Sequence, residues 1–155
     1  MTFDECFAKL IGHEGCYSNN PADKGGETKW GISKRAYPSL DIADLTLDDA
    51  KTLYKRDYWD RAQCDRLPPA IAYQVFDGAV NSGIGTSIRW LQAAASVAPD
   101  GVVGPLTIRA VGDADPMAML ARFNGERLKF MASLSTWDSF GPGWARRIAA
   151  NLLEA

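Results

Sequence analysis

Apolar residues recur at intervals of three and four near the start of the chain, which is the spacing of one helical face. Thr2 and Glu5 have the S/T-x-x-E spacing of a capping box, in which side chains satisfy the free amides of a helix start. Gly12 follows the pattern, and glycine ends helices at little steric cost. We therefore predict a first helix whose apolar stripe consists of Phe3, Phe7, Leu10 and Ile11.

Similar patterns predict helices along most of the remaining chain. Thr46 with Asp49 repeats the spacing of a helix cap, and Asp115 followed by Pro116 is typical of a cap and a first helical position. The turn segment PDGVVGP, residues 99–105, separates two of these patterns. Helices are predicted from about Thr46 to Tyr58, Pro69 to Asn81, Thr86 to Val97, from Leu106, from Pro116 to Leu134 and from Gly143.

Strand signals are confined to residues 16–33. Within that segment the dipeptides Asn20-Pro21 and Gly25-Gly26 are turn signals that separate short pieces of chain. The pattern as a whole therefore predicts a mainly α domain with one small β-hairpin.

Composition and charge exclude several kinds of function. The 155 residues suit one domain, which we expect to comprise lobes of residues 1–66 and 67–155. The net charge of −2 gives no overall attraction to nucleic acid or to anionic membranes. No apolar run is long enough to span a bilayer, and the N-terminus lacks a signal-peptide pattern. We therefore expect synthesis in the cytoplasm, with any export depending on another protein.

Cysteine and histidine are too few to indicate a metal site or a disulfide framework. Cys6, Cys16 and Cys64 include no C-x-x-C pair, and their odd number argues against a set of disulfides. The single histidine, His13, has no clustered partners that would bind zinc with it. We expect reduced thiols, no metal and no cofactor.

Glu14 is the first candidate for chemistry, because it continues the apolar stripe of the first helix. It lies four residues after Leu10 and three after Ile11, at the predicted helix end. Partial desolvation and the negative end of the helix dipole would both raise its pKa, which suits a general acid near neutral pH. The alternative is a solvated or ion-paired glutamate.

The turn-rich loop after Glu14 supplies Asp23 and Thr28, in the spacing E-x8-D-x4-T. Folded back as a hairpin, the loop would place both residues opposite the helix end and form a cleft. A protonated acid, an ionised carboxylate and a hydroxyl that orients water are suited to inverting glycoside hydrolysis. Alternatively, Asp23 caps a turn and Thr28 bonds its hydroxyl to the backbone.

This segment resembles the signature of glycoside hydrolase family 108, whose members are peptidoglycan muramidases mostly encoded by phages and prophages. Cys16 and Asn20 depart from the glycine and the aspartate that are usual in the family. The resemblance continues through residues 45–60 and 76–83, and residues 91–107 resemble a peptidoglycan-binding segment fused to this family. The residues that match the signature are Glu14-Gly15, Tyr17, Pro21-Ala22-Asp23, Gly25-Gly26, Thr28 and Gly31-Ile32.

The resemblance implies a lysozyme-like α+β fold, a helical bundle with the hairpin beside the active-site cleft. It implies an endolysin that hydrolyses the β-1,4 bond between N-acetylmuramic acid and N-acetylglucosamine, with Glu14 as the acid and with Asp23 and Thr28 positioning water. The expected partner is bacterial peptidoglycan, which a monomer would reach from the host cytoplasm after holin-type release into the periplasm or wall. Candidate substrate-binding residues are Tyr17, Trp30, Tyr58 and Asn81.

Other interpretations of the same residues remain open. Tyr58 alternatively packs in the core, and Asn81 alternatively forms a structural amide contact. Arg146-Arg147 either contacts anionic membranes or packs on the core.

The same sequence leaves three alternative functions open. His13 and Cys16 suggest a Cys–His hydrolase, although Gly15 interrupts the helix that would align them. A lytic transglycosylase would use the same acid and leave 1,6-anhydro sugar ends. A non-catalytic module would bind peptidoglycan without cleaving it.

Overall fold

The computed structural model describes residues 1–12, 17–19 and 26–153. Within them the protein is mainly helical and has one two-stranded antiparallel sheet, which confirms the predicted fold class. The strands are β1 (Thr28–Lys29) and β2 (Ile32–Ser33). The α-helices are α1 (Phe3–Ile11), α2 (Leu47–Tyr54), α3 (Pro69–Ser82), α4 (Ile84–Ala94), α5 (Pro105–Asp113), α6 (Pro116–Ala132) and α7 (Trp137–Leu153). A π-helical turn covers Lys55–Trp59 and a 3-10 turn covers Cys64–Arg66.

The chain forms two compact units, Thr2–Asp57 and Tyr58–Ala155, the second including Met1. The first unit contains α1, α2 and the β-hairpin, and the second contains α3 to α7. The expectation of one domain, with lobes divided between residues 66 and 67, stays a prediction.

Capping side chains begin both helices of the first unit, as the sequence predicted. The Glu5 amide donates to Thr2 Oγ1 at 3.3 Å, and the Thr2 amide donates to Glu5 Oε2 at 2.7 Å. Thr46 and Asp49 form the same reciprocal pair at the start of α2. Two orphan amides are thereby satisfied at each helix start, where the backbone has no internal partner for them.

The apolar face of α1 is buried in the first unit. The rings of Phe7 and Tyr54 meet edge to face between α1 and α2, with centroids 5.6 Å apart. Cys6, on the same face, is free and buried, and burial raises the pKa of its thiol to about 11. The thiol is therefore protonated and a poor nucleophile near neutral pH. Cys64 is also free and buried, which agrees with the predicted reduced state, whereas Cys16 lies outside the described residues.

The middle helices differ from the predicted boundaries. The helix predicted to reach Tyr58 is an α-helix only as far as Tyr54, and the chain continues through the π-helical turn. A π turn still places residues on one face, so apolar spacing does not distinguish it from α-helix. The next difference is small: α4 begins two residues earlier than predicted, at Ile84, and ends at Ala94 instead of Val97.

The last helix begins at Trp137, so the predicted start at Gly143 is wrong. Pro142 favours a start after it, because proline lacks the amide that an internal helical hydrogen bond needs. In the structure Pro142 lies inside α7 and aromatic packing extends across it. The Trp144 ring centroid lies 6.2 Å from that of Trp137 and 5.8 Å from that of Phe140. These contacts stabilise the turns that the proline weakens.

Helix α3 is central to the second unit and is buried from Ile71 to Ala79. It packs against α4 and α6, and α7 packs on α6. At Gly78, α3 approaches α4 so closely that a Cβ atom would lie 2.6 Å from Ser87 Oγ. The Ser87 hydroxyl in turn donates to the Val75 carbonyl at 2.8 Å, which satisfies this buried polar group.

A buried carboxylate, Asp77, joins α3 to α6 and α7. Its Oδ2 accepts hydrogen bonds from Arg127 Nη1 at 2.6 Å and from Asn151 Nδ2 at 3.0 Å. Its Oδ1 accepts from Arg147 Nε at 2.8 Å and from Arg147 Nη2 at 2.6 Å. Burial alone would raise the pKa of Asp77, but the charges and hydrogen bonds of the two arginines outweigh it and hold the pKa below its usual value.

Replacing Asp77 with alanine is expected to lower the free energy of unfolding by about 3–5 kcal/mol, because a buried arginine charge loses its partner. Urea denaturation would measure the loss. Asp113→Ala is the matched control, since Asp113 forms an exposed pair with Arg109 at 3.5 Å. We expect that control to change the free energy by less than about 1 kcal/mol. Equal stability of the two variants would contradict the role given to Asp77.

Acid is expected to weaken the protein through the same carboxylate. The folded-state pKa of Asp77 lies below the unfolded value of about 3.9, so its stabilisation is fully present above the unfolded pKa and is lost as the pH falls through the folded pKa. The free energy of unfolding should therefore fall more steeply between about pH 5 and pH 3 in the unmodified chain than in Asp77→Asn. Parallel pH dependences of the two proteins, measured by urea denaturation, would show this linkage to be wrong.

Candidate active site

The hairpin of the first unit carries two of the predicted site residues, Thr28 and Trp30. The strands pair antiparallel, with Thr28 opposite Ser33. Trp30 and Gly31 form the turn, with φ angles of 53° and 74°. Positive φ at both central residues is typical of a two-residue turn whose twist matches the strands. Trp30 therefore adopts a backbone conformation that a bulky side chain rarely takes.

Three hydrogen bonds hold this turn against other residues of the first unit. The Trp30 indole nitrogen donates to the Leu45 carbonyl at 3.3 Å, and Lys29 Nζ donates to the Ala43 carbonyl at 2.6 Å. The Tyr54 hydroxyl donates to the Trp30 carbonyl at 3.2 Å. Sequence spacing contains no signal for this support from Tyr54, because the partners lie 24 residues apart.

A pair of backbone hydrogen bonds joins Ser18 to Thr28. The Ser18 amide donates to the Thr28 carbonyl at 2.8 Å, and the Thr28 amide donates to the Ser18 carbonyl at 2.8 Å. Ser18 is thereby held beside β1. Asp23 lies between Ser18 and Thr28 in the sequence and outside the described residues.

Thr28 is the one predicted catalytic residue within the part of the chain that the structure describes. It is half-buried, and its hydroxyl donates to the Gly26 carbonyl at 3.2 Å. Because the hydrogen is donated there, the hydroxyl oxygen keeps lone pairs that can accept a hydrogen bond from water. Glu14 and Asp23 lie outside the described residues, so the geometry of the three residues together stays a prediction.

Tyr17 and Trp30, two predicted substrate-binding residues, both belong to the first unit. Tyr17 is 45% exposed, and its hydroxyl donates to Glu27 Oε1 at 2.7 Å. This hydrogen bond to a carboxylate raises the pKa of the Tyr17 hydroxyl. Trp30 is half-buried and held through its indole nitrogen. Contact of either ring with substrate stays a prediction.

Tyr58 and Asn81, the other two predicted substrate-binding residues, belong to the second unit. Tyr58 is half-buried in the π-helical turn. Asn81 is exposed near the end of α3, and its Nδ2 donates to the Asp77 carbonyl at 2.7 Å. The Asn81 side chain therefore makes a structural hydrogen bond within α3, which was the alternative to sugar binding for this residue. A sugar contact at either position stays a prediction.

The basic segment near the C-terminus packs on its own unit. Arg147 binds Asp77, and Ile148 is buried, whereas Arg146 is exposed. None of the helices in the described ranges is long and apolar enough to cross a membrane. The described residues also contain no group of three or more His, Cys, Asp or Glu that could hold a metal ion.

The fold is shared with a solved structure, that of Brucella abortus SagA. The comparison gives a TM-score of 0.87 at 28% sequence identity, and it covers 98% of this chain and 92% of that chain. No curated protein matches the chain. Agreement over almost the whole length confirms the lysozyme-like fold class predicted from the sequence.

Family models account for both parts of the sequence. The model of glycosyl hydrolase 108 matches residues 7–83, and a model described as a predicted peptidoglycan domain matches residues 86–149. Residues 7–83 therefore match the glycosyl hydrolase 108 family, and a peptidoglycan domain follows them, as the motifs predicted. The protein is a glycoside hydrolase that acts on peptidoglycan.

Gly31→Ala is expected to lower the free energy of unfolding by at least about 1 kcal/mol, because alanine resists positive φ. Its Cβ would also lie 2.5 Å from the Tyr54 hydroxyl oxygen, so adding Tyr54→Phe should restore part of the loss. Urea denaturation of both single variants and the double variant measures this coupling. Gly26→Ala is the matched control, since Gly26 has φ of 69° and no atom near its added Cβ. If Tyr54→Phe restored as much stability to Gly26→Ala as to Gly31→Ala, the close approach of Gly31 to the Tyr54 hydroxyl would be contradicted.

Proposed function

We propose that the protein is an endolysin that hydrolyses the β-1,4 bond between N-acetylmuramic acid and N-acetylglucosamine. The observation that carries this proposal is the glycosyl hydrolase 108 match over residues 7–83, which contains the whole E-x8-D-x4-T spacing. The peptidoglycan domain matched over residues 86–149 supports the same polymer as substrate.

In the proposed reaction Glu14 donates its proton to the glycosidic oxygen as the bond from that oxygen to C1 breaks. Asp23 accepts a proton from water, and the water oxygen forms the new bond to C1. The products are a reducing end on one fragment and a free hydroxyl on the other. Attack from the face opposite the leaving oxygen inverts the configuration at C1.

Thr28 is suited to orient the attacking water. Its hydroxyl hydrogen is already donated to the Gly26 carbonyl, so its oxygen offers an acceptor for a water hydrogen. The backbone pair with Ser18 and the contacts of Trp30 hold β1 before any substrate arrives. Such preorganisation reduces the entropic cost of positioning water for attack.

The proposed setting is bacterial lysis. The protein would be made in the host cytoplasm and would act as a monomer on peptidoglycan in the periplasm or wall after holin-type release. This setting is supported by the family resemblance of the hydrolase motif. Neither nucleic acid nor a cofactor has a part in the proposed reaction.

Glu14→Gln is expected to reduce hydrolysis of purified peptidoglycan by about 10²–10⁴-fold, because glutamine cannot donate the proton. The release of soluble reducing ends measures the rate. Cys16→Ser is the matched control, two residues away, and should retain activity if no Cys–His dyad is involved. Lysis that survives Glu14→Gln, or that is lost in Cys16→Ser, would overturn the proposed mechanism.

The released fragments separate hydrolysis from the two remaining alternatives. Mass spectrometry should find reducing N-acetylmuramic acid ends, since water adds to C1. Fragments ending in 1,6-anhydro sugars would identify a lytic transglycosylase. Binding to peptidoglycan without any new ends would identify a non-catalytic module, and either result would refute the hydrolysis proposed for Glu14.

A further inference from the structure

A groove of about 430 Å³ lies on the second unit between α4, α6 and the loop that follows α4. This volume falls in the range of small-ligand sites. The described residues that line it all fall in the peptidoglycan domain matched over residues 86–149. Thr28, the described residue of the predicted catalytic motif, does not line it. The lining includes Arg89, Trp90, Ala93, Pro99, Lys129 and Phe130.

The apolar floor of the groove is anchored in the core. Trp90 is almost fully buried, and its ring meets Phe123 edge to face with centroids 6.0 Å apart. On its other side Trp90 packs against Phe130, with centroids 5.5 Å apart. Phe130 is 38% exposed, so an aromatic surface is presented to solvent over a rigid base. An exposed aromatic on a fixed support is typical of a contact surface for a ligand.

A buried glutamine fixes the loop that forms one wall. Gln92 Nε2 donates to Asp100 Oδ1 at 2.7 Å and to the Val102 carbonyl at 3.0 Å, while Gln92 Oε1 accepts from the Gly101 amide at 2.8 Å. Pro99, the residue of this loop that lines the groove, directly precedes these contacts. The wall is therefore preorganised, which lowers the entropic cost of binding.

Charged groups of both signs border the apolar surface. The Arg89 guanidinium lies against the backbone of the loop, where a Cβ atom on Gly101 would be 3.4 Å from Arg89 Cζ. Lys129 Nζ and Glu126 Oε2, both from α6, lie 3.7 Å apart in an exposed pair. The groove therefore offers two cations and one anion around an aromatic and aliphatic surface.

We propose that this groove binds the peptide stem of peptidoglycan, an inference that rests on peptidoglycan being the substrate. The stem combines alanine methyl groups, several carboxylates and one free amine, so its net charge is negative. The methyl groups match the surface of Phe130 and Ala93, and the carboxylates match Arg89 and Lys129. With two cations and one anion the groove lining has a net positive charge, which matches the negative stem better than it matches uncharged glycan.

The probe is the N-acetylated stem tetrapeptide L-Ala-γ-D-Glu-meso-diaminopimelate-D-Ala, added to the full chain and followed by calorimetry and by backbone NMR. We expect it to shift the amide signals of residues 89–93 and 126–130. Arg89→Gln should weaken binding about tenfold, as expected for the loss of one charge-assisted hydrogen bond. Ala93→Trp should abolish binding, because the larger side chain fills the groove without changing the charge.

Arg122→Gln is the matched control, because Arg122 is an exposed arginine of α6 that does not line the groove. It should bind the tetrapeptide as the unmodified chain does. Undiminished binding by Ala93→Trp would overturn the proposal, and so would an equal loss in Arg89→Gln and Arg122→Gln. Chitotetraose, which has no peptide, should leave these signals unshifted, and shifts at the groove with that sugar alone would assign it to glycan instead.

The same measurement separates this proposal from the catalytic one. Tetrapeptide binding is measured without bond cleavage, so it is a readout separate from peptidoglycan digestion. If Glu14→Gln still digests peptidoglycan, the role of Glu14 as the acid is refuted. Tetrapeptide binding still tests, independently, whether the groove binds the peptide stem. If the tetrapeptide shifts no groove residue, the groove assignment fails whatever the catalytic result.

Discussion

The packing of the second unit depends on a single buried anion. Asp77 lies in α3 without solvent exposure, and its oxygens accept hydrogen bonds from side chains of α6 and α7. An ionised carboxylate is tolerated in such a place only with opposite charge and hydrogen-bond donors beside it. The burial of α3 therefore requires α6 and α7 to pack in the one register that presents Arg127 and Arg147 to Asp77.

Sequence patterns were sufficient where local interactions determine the structure. The capping side chains of Thr2, Thr46 and Asp115 bond amides three residues away, so their spacing identified three helix starts. The hairpin lies within the predicted strand segment, but its turn at Trp30-Gly31 contains neither of the dipeptides that were the turn signals. The start of α7 was predicted wrongly, since the packing of Trp137 against Trp144 across a proline carries no capping signal.

The candidate site was likewise predictable from the sequence only where its residues lie close together along the chain. Motif spacing indicates Glu14, Asp23 and Thr28 as one chemical set, but it does not indicate what holds the hairpin in place. Tyr54 bonds the turn from 24 residues away, and Gln92 also donates to Thr107, which lies 15 residues along the chain. Such partners meet only in the folded protein, so neither periodicity nor motif spacing could predict them.

The two family matches and the two compact units have different borders. The matches meet between residues 83 and 86, whereas the units meet after Asp57, so α3 is matched with the hydrolase but packs with the peptidoglycan domain. A graft of residues 86–149 onto another scaffold would transfer Arg127 and Arg147 without Asp77, the carboxylate that they bind. Any exchange of wall-recognition segments between enzymes of this kind, in evolution or by engineering, must therefore carry α3 along.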